Sequence, residues 1–306
     1  MQVKKKSKAK SKLKKWRFPL WGIASLILAG FLLAQFILLP SASNLKKDAD
    51  NPFKLTTTTL QPSALPQKIT PKPTKSYTIH SGYQLKVPIL MYHYIGYNPD
   101  PADKARYILA TNPDNFKQQM KYLSDQSYQT ISLDTLYAAL KKQTTLPSKP
   151  IILTFDDGYE DFYTNAYPIL QEFNFKATVF IPTGLMEKRA YLTWPQIQLM
   201  SRQGLITFGA HTVNHYSLTS ISGDESWQEI SQSKRELQNR LGIPINFFAY
   251  PGGSLNNLIV SQVQKAGFVG ALGTWPNHFQ SEGTIYNMPR LRINGLIDLK
   301  TYIELL

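Results

Sequence analysis

The stretch IILTFDDG at residues 151–158 joins a short apolar run to two adjacent aspartates and a glycine. A run of this length, rich in β-branched residues, is typical of a buried strand. Successive side chains of a strand point to opposite faces, so Asp156 and Asp157 at its end can take different roles, one as a metal ligand and the other as a base. Taken alone, the same letters are also explained by an acidic turn with Asp-Gly as the turn residues.

Similar apolar runs alternate with amphipathic segments along the rest of the chain from Val87 onward. Several helical candidates have Ser, Asn or Asp at the start and Gly at the end. This alternation predicts an α/β fold with a parallel sheet, whose chemistry lies in the loops after the carboxyl ends of the strands. Periodicity does not decide between an open sheet and a closed barrel. The other strand candidates are residues 87–95, 177–182, 206–210, 247–251 and 268–273, and the helical candidates begin at Pro113, Ser132, Ser226 and Asn256.

Two histidines follow the strand candidate ITFGA, at His211 and His215. They meet on one face if the segment is helical. Two His and one Asp form the three-ligand set of a catalytic zinc site, which leaves a position for water. Such an ion lowers the pKa of its water to about 7, and a free carboxylate nearby can accept the remaining proton. The spacing alone is a weak signal, but its position after a strand strengthens it.

The positive charge of the chain lies at its N-terminal end. The formal net charge is +14, yet residues 87–306 hold 18 basic and 18 acidic side chains. A folded region without excess positive charge is not expected to bind nucleic acid, because phosphate neutralisation needs that charge on the folded surface. The chain has no Cys, which excludes disulfides, thiolate metal sites and a cysteine nucleophile.

The N-terminal region predicts a membrane anchor. Residues 18–39 form 22 positions without a charge, enough to cross a hydrocarbon core of about 30 Å. Residues 1–17 hold nine Lys or Arg and no acid, so this basic tail should stay cytoplasmic and residues 87–306 should form an extracytoplasmic catalytic domain. Residues 40–86, rich in Thr, Pro and Lys, read as a flexible, disordered linker. A cleaved signal peptide is the alternative, but its apolar core is usually only about 7–15 residues long.

Two motifs resemble those of a known family. TFDDG at Thr154 to Gly158 and H-[ST]-x-x-H at His211 to His215 are similar to the signatures of the polysaccharide deacetylases, carbohydrate esterase family 4, with their NodB-homology domain. The NodB-like region covers about residues 149–306. The segment VPILMYHYI at 87–95 also resembles the leader of the branch that contains poly-N-acetylglucosamine deacetylases.

The resemblance implies a fold, an activity and four site residues. The fold is a distorted (β/α) barrel, and the activity is removal of N-acetyl groups from glycans. Asp156 is the base, and Asp157, His211 and His215 are ligands of a divalent metal. Zinc is the first expectation, although Co, Mn or Ni also accept one Asp with two His.

A third motif, FAYPGG at residues 248–253, resembles a loop that lines the site in this family. By position, the Gly252 N–H would stabilise the oxyanion, while Tyr250 and Pro251 shape the wall of the site. Donors aimed at developing charge are worth about 3 kcal/mol in comparable sites. An ordinary Pro-Gly turn is the alternative reading.

The chain departs from the family pattern at three places. An Arg in the third motif often pairs with an Asp in a fourth, but Ala249 and the stretch at 270–275 supply neither. The His that usually serves as general acid is replaced by Ile293. His93, at the end of the first long strand candidate, is the replacement that we expect, with a His that merely caps the strand as the alternative. Trp275 is a candidate wall of the sugar site or else a core residue.

These departures leave rival functions open. One is a membrane-tethered glycan-binding protein on a degenerate deacetylase fold, and another is a metal hydrolase of a different acyl or amide bond, since a fold does not determine a function. Within the favoured class, peptidoglycan and poly-N-acetylglucosamine both suit a domain held outside the membrane through residues 18–39.

Overall fold

The computed structural model describes residues 82–97, 100 and 102–306. The predicted basic tail, membrane span and most of the predicted linker lie outside these residues. Within the described part of the chain, no helix is both long and apolar enough to cross a bilayer. The strands are β1 (Gln84–Lys86), β2 (Ile89–Tyr92), β3 (Tyr94–Ile95), β4 (Ala110–Thr111), β5 (Gln129–Thr130), β6 (Pro150–Phe155), β7 (Ala177–Ile181), β8 (Ile206–Ala210), β9 (Phe247–Ala249), β10 (Gly270–Leu272), β11 (Phe279–Ser281) and β12 (Leu291–Arg292). The α-helices are α1 (Lys104–Leu109), α2 (Pro113–Asp125), α3 (Leu133–Leu140), α4 (Tyr167–Glu172), α5 (Trp194–Arg202), α6 (Gly223–Leu241), α7 (Asn257–Lys265) and α8 (Leu299–Glu304).

A parallel sheet organises the fold, in the strand order β10-β9-β8-β7-β6-β2-β12, and β5 pairs with the start of β6. The predicted α/β class and parallel sheet are confirmed. The sheet curls into a half-barrel: Met288 bridges to Leu272 of β10, and shortly afterwards Leu291 pairs with Leu90 of β2. The three-residue step from Met288 to Leu291 spans at most about 10 Å, so the two outer strands lie near each other.

Strand alternation divides the core between the two faces of the sheet. Leu90 and Leu153 pack into one cluster with Phe116 of α2, while their neighbours Ile89 and Ile152 pack into another. Because side chains alternate along a strand, Thr154 and Asp156 continue the face of Ile152. This alternation aims Asp156 away from the α2 side of the sheet.

The folded region begins earlier than the sequence predicts. Gln84–Lys86, the end of the predicted linker, form β1 and pair antiparallel with β11. Three residues are too few to show a two-residue period, so this strand is recognisable only through its distant partner. The linker boundary at residue 86 is therefore corrected to a position before Gln84.

Helix α6 illustrates how capping residues set an element's start. It begins three residues before the predicted Ser226, because Ser222 and Glu225 form a capping box. It ends at Gly242, which adopts the left-handed conformation typical of a helix C-terminus. Helix α6 packs against α7 and against strand β8, next to the loop that carries the two histidines.

Candidate active site

Polar side chains gather where β2, β6 and β8 end. Asp156 and Asp157 follow β6, His211 follows β8, and His93 follows β2. The carboxyl ends of parallel strands lie at one edge of a sheet, which is where α/β folds place their chemistry.

Asp157, His211 and His215 converge on one point. Their candidate ligand atoms all lie within 4.8 Å of one another. Asp157 Oδ1 is 3.3 Å from His211 Nε2 and 3.0 Å from His215 Nε2. Asp157 and His211 are buried, whereas His215 is partly exposed, so the cluster opens to solvent on the His215 side.

The spacing of the two histidines suggested a helix, but the segment that carries them is not helical. The backbone at Thr212 and His215 is left-handed, with φ of 68° and 61°, and Asp157 adopts φ of 74°. Such a conformation is uncommon outside glycine and is a genuine outlier for a β-branched residue such as Thr212. Left-handed residues at all these positions concentrate backbone strain at the cluster, where strain is typically maintained by the surrounding structure for function.

Two contacts hold the imidazoles in place. His211 Nδ1 lies 2.7 Å from the carbonyl oxygen of Ala249, which leaves Nε2 directed at Asp157. A metal-ligating His usually makes such a bond with its other ring nitrogen. The hydroxyl of Thr212 accepts a hydrogen bond from the His215 N–H at 2.9 Å.

Buried Glu229 of α6 braces the same loop. Its carboxylate accepts hydrogen bonds from the N–H groups of Val213 and Asn214, at 2.9 and 2.7 Å, and from the Asn214 side chain at 2.7 Å. These three bonds support the strained turn between the histidines. Sequence reasoning missed Glu229, since a Glu on an amphipathic helix gives no local sign of a buried partner.

The cluster fits a divalent metal. Asp157 Oδ1 is buried, and its close neighbours are the two imidazole Nε2 atoms. Burial alone raises the pKa of Asp157, but the two imidazoles beside it hold that pKa well below its ordinary value. A buried, ionised oxygen facing two ring nitrogens is a donor set that zinc and similar ions accept.

Asp156 belongs to a different network. Arg290 donates from Nη1 to Oδ1 and from Nη2 to Oδ2 of Asp156, both at 2.8 Å, and both side chains are buried. Arg290 also donates to the Gly273 carbonyl at 2.9 Å and to the Thr154 hydroxyl at 3.1 Å. Burial raises the pKa of Asp156, but the charge and hydrogen bonds of Arg290, together with His211 and His93, hold the pKa below the ordinary value. Asp156 is therefore an ionised carboxylate outside the metal cluster.

Arg290 corrects the sequence analysis, which found no arginine to pair with the base. The guanidinium comes from just before β12, 134 positions after Asp156, and not from Ala249 or residues 270–275. One signal was available: Arg290 stands in the apolar run MPRLRI, where a buried cation needs a partner.

His93 lies beside Asp156. Tyr92 and Phe155 are register partners, and His93 and Asp156 are the residues that follow them. His93 is 9% exposed, and its buried Nδ1 has no hydrogen-bond partner among the described residues. Burial lowers the pKa of His93, against the opposing effect of Asp156 and Asp157. The ring is thus neutral at pH 7 and has a free nitrogen.

The third motif forms a tight loop after β9. Gly252 has φ of 60°, and a side chain there would meet nothing within 4 Å, so this peptide borders open space. The Tyr250 ring has no exposed surface, and its hydroxyl donates to the Tyr286 carbonyl at 2.9 Å. In this conformation Tyr250 packs inside the protein against the loop, and Pro251 is likewise buried, so neither side chain is exposed to a sugar.

Trp275 lines a cavity of about 580 Å³ with Tyr83, Lys142 and Phe279. The cavity lining includes neither aspartate and neither histidine of the cluster. The indole N–H donates to the Asn287 carbonyl at 3.0 Å, and the Trp275 carbonyl accepts from the Arg290 N–H at 3.0 Å. The main chain of Trp275 therefore adjoins the Arg290 network, while a role for its ring in sugar binding stays a prediction.

Comparison with known proteins agrees with this geometry. A family model described as polysaccharide deacetylase matches residues 143–271. The structure of the Streptococcus pyogenes deacetylase PplD, in complex with acetate, is 32% identical, covers 72% of this chain and 98% of that chain, and superposes with a TM-score of 0.67.

Two curated relatives extend the comparison. The protein YxkH of Bacillus subtilis is 26% identical over 269 residues, which are 88% of this chain and 93% of that protein. The poly-beta-1,6-N-acetyl-D-glucosamine N-deacetylase of Escherichia coli is 24% identical over 248 residues. Those residues are 67% of this chain, and the chain spans only 36% of that relative's length.

A curled parallel sheet with paired carboxylates and two histidines at its strand ends defines a NodB-type α/β domain. The chain belongs to the polysaccharide deacetylase family and is a hydrolase that acts on amide bonds. Deacetylases of this family are metalloenzymes, and Asp157, His211 and His215 form the group that could hold the ion.

Proposed function

We propose that this protein is a metal-dependent, extracytoplasmic N-deacetylase of glycans that contain N-acetylglucosamine. The observation that carries the proposal is the separation of the two adjacent carboxylates. Asp157 faces the two imidazoles, while Asp156 is held by Arg290. One carboxylate is thus available to a metal and the other to a proton, which is the division of labour that hydrolysis of an acetamide needs.

The chain's own residues account for attack on the acetamide. A divalent ion held by Asp157, His211 and His215 would supply a Lewis acid and lower the pKa of water to about 7. Asp156, kept ionised by Arg290, accepts the proton of the water as its oxygen bonds to the carbonyl carbon. The Gly252 N–H donates to the oxyanion that develops.

His93 completes the reaction at the leaving group. The amine needs a proton as the carbon–nitrogen bond breaks, and Asp156 has just received one. A neutral imidazole can relay it, because one nitrogen accepts a proton while the other donates. The free Nδ1 of His93 and its place beside Asp156 support this role. Acetate and a free amine are the products.

Zinc is the proposed ion, and cobalt, manganese and nickel are the alternatives that the same donors accept. The glycan is proposed to be poly-N-acetylglucosamine or peptidoglycan. The Escherichia coli relative supports the first by its name, although its identity of 24% supports the general activity more than the polymer.

We place the enzyme at the cell membrane, with residues 18–39 as a single span and residues 87–306 outside. The uncharged run and the basic residues before it support this location. Protease added to intact spheroplasts should cleave residues 87–306 without lysis. Protection until lysis would contradict the location.

Acetate release tests the activity. The full-length chain, stripped of metal with a chelator and reloaded with zinc, is incubated with N-acetylglucosamine oligomers and with peptidoglycan in parallel. We expect metal-dependent acetate from at least one of them. Absence of acetate from both, with tight metal binding intact, would overturn the proposal.

Two variants test the assigned roles. Asp156→Asn should abolish turnover while the protein still binds zinc, and loss of zinc in this variant would refute the division between base and ligand. His93→Gln should slow turnover and leave zinc binding intact. Full turnover of this variant would remove His93 from the mechanism.

A further inference from the structure

A second arginine, Arg292, lies two residues after Arg290, which binds Asp156. Because side chains alternate along an extended chain, Arg290, just before β12, and Arg292, within it, lie on the same face, with buried Leu291 on the other. Arg290 is completely buried, whereas Arg292, two residues nearer the carboxyl end, is exposed. Arg292 pairs in register with Met91, two residues before His93. Arg292 therefore stands at the mouth of the site.

The guanidinium of Arg292 is available for a ligand. Among the residues that the structure describes, no hydrogen bond or ion pair engages it. Its electrostatic neighbours are Arg290, Asp156 and Asp157. Asp156 is already bound through both oxygens by Arg290, and Asp157 faces the two imidazoles. Within the described part of the chain, Arg292 thus has no counter-ion of its own at the mouth.

The chemistry of arginine indicates what this cation binds. A guanidinium is always charged, and its planar donors match a carboxylate bidentately. A neutral acetamido sugar offers hydroxyl and carbonyl acceptors but no negative charge to pair with the guanidinium, and the ammonium product is repelled by it. An anionic group on a sugar next to the scissile acetamide would be attracted to it.

We propose that Arg292 is a specificity-determining residue that binds a carboxylate of the substrate, so that the enzyme prefers acidic N-acetylated glycans to neutral ones. The lactyl group of N-acetylmuramic acid is a carboxylate of the required kind. This inference rests on the proposed deacetylase function and narrows its substrate class.

The test compares one glycan in two charge states. Peptide-free peptidoglycan oligomers are used with free lactyl carboxylates and as their methyl esters. The ratio of kcat/KM for the acid to that for the ester is measured on the zinc-loaded full chain, together with the affinity of the metal-free protein for each oligomer. We expect an acid-to-ester ratio of about three- to thirtyfold, between the values of an exposed ion pair and of a charged hydrogen bond. The ratio should fall with added salt.

Variants separate recognition from a general effect on the site. Arg292→Gln should bring the ratio to about one, and Arg292→Lys should retain part of it. Arg235→Gln, which removes an exposed arginine from α6, is the matched control and should keep the wild-type ratio. Burial is the largest cause of the lowered pKa of His93, and the nearby charge of Arg292 lowers it further. The rates for the acid and for the ester can therefore both change in Arg292→Gln. The ratio cancels that common effect.

Two outcomes would overturn the inference. One is equal rates and equal affinities for acid and ester in the wild type. The other is a preference that survives in Arg292→Gln. Failure of the proposed function has a different signature, namely no acetate from any oligomer, and in that case the affinities alone decide whether Arg292 recognises the carboxylate.

Discussion

At the scale of single residues, the ion pair of Asp156 and Arg290 dominates the site. Both side chains are buried, and the guanidinium also satisfies Gly273 and Thr154. A buried ion pair of this kind adds little stability when compared with an apolar pair, but loss of one partner leaves the other charge buried and unpaired.

Arg290→Met should therefore be strongly destabilising. We expect a loss of about 3–5 kcal/mol in the free energy of unfolding, because Asp156 is left buried and unpaired. Urea denaturation measures this. The double variant Arg290→Met, Asp156→Asn should recover part of the lost free energy of unfolding, since no buried charge is left unpaired. A double variant less stable than the single one would contradict the explanation.

Asp161 allows a prediction about pH. Burial raises the pKa of Asp161 from 3.8 to about 6, although Arg106 is 4.0 Å away. A raised pKa means that the folded state keeps the proton to higher pH than the unfolded state. The stability contributed by protonated Asp161 is thus complete below about pH 4, falls between about pH 4 and 6, and stays low above that.

Asp161→Asn removes this ionisation. We expect the variant to be more stable than the wild type at pH 7.5, by at most about 3 kcal/mol, and to lose this advantage at pH 4. Thermal unfolding at the two pH values measures the difference. A larger gain at pH 4 than at pH 7.5 would contradict the predicted sign.

At the scale of elements, the site depends on how helix α6 supports the loop after β8. The left-handed residues Thr212 and His215 bring the imidazoles together, and Glu229 secures the peptide groups between them. A helix thereby positions ligands that it does not itself carry.

Glu229→Gln tests this support. The amide can still accept from the two backbone N–H groups, but its own NH₂ meets the NH₂ of Asn214, where Glu229 Oε1 now accepts at 2.7 Å. Loss of such outer support typically weakens metal affinity about 10–100-fold, which we expect here for zinc. Competition with a chromogenic chelator measures it. Glu236→Gln, on the same helix, is the control, and an equal effect of both variants would remove Glu229 from this role.

At the scale of the whole molecule, the metal cluster joins segments that follow two separate strands, β6 and β8. An ion that binds only the folded state stabilises it by mass action, by about 4 kcal/mol at a concentration one thousand times its Kd. Metal removal should consequently affect the stability of the domain as well as its activity.

Zinc should raise the Tm of the metal-free protein, and a chelator should reverse the change. Asp157→Ala should abolish the shift, whereas Asp156→Asn, which alters the neighbouring carboxylate outside the cluster, should preserve it. Differential scanning calorimetry with and without zinc checks both variants. Equal shifts in the two variants would contradict the assignment of Asp157 as the ligand.

Local patterns in the sequence were sufficient for the framework of the fold. The strand ITFGA was predicted at its observed bounds, and the run before Asp156 within one residue, because buried strands of this kind are continuous apolar runs. The set Asp157, His211 and His215 was also predicted, through the resemblance of its two motifs to the family signatures, and the structure brings its candidate ligand atoms within 4.8 Å of one another. The helical explanation of the His pair failed, because spacing does not reveal the left-handed backbone at Thr212.

The sequence by itself thus determined the α/β class, the parallel sheet and the two motifs that carry the candidate metal ligands, because each of these depends on a short, contiguous segment of the chain. Only the tertiary structure decided that Arg290 holds Asp156, that Glu229 braces the histidine loop and that β1 pairs with β11. These contacts join segments distant in the chain. Which distant groups meet depends on the register and curl of the sheet, and no local periodicity encodes either of them.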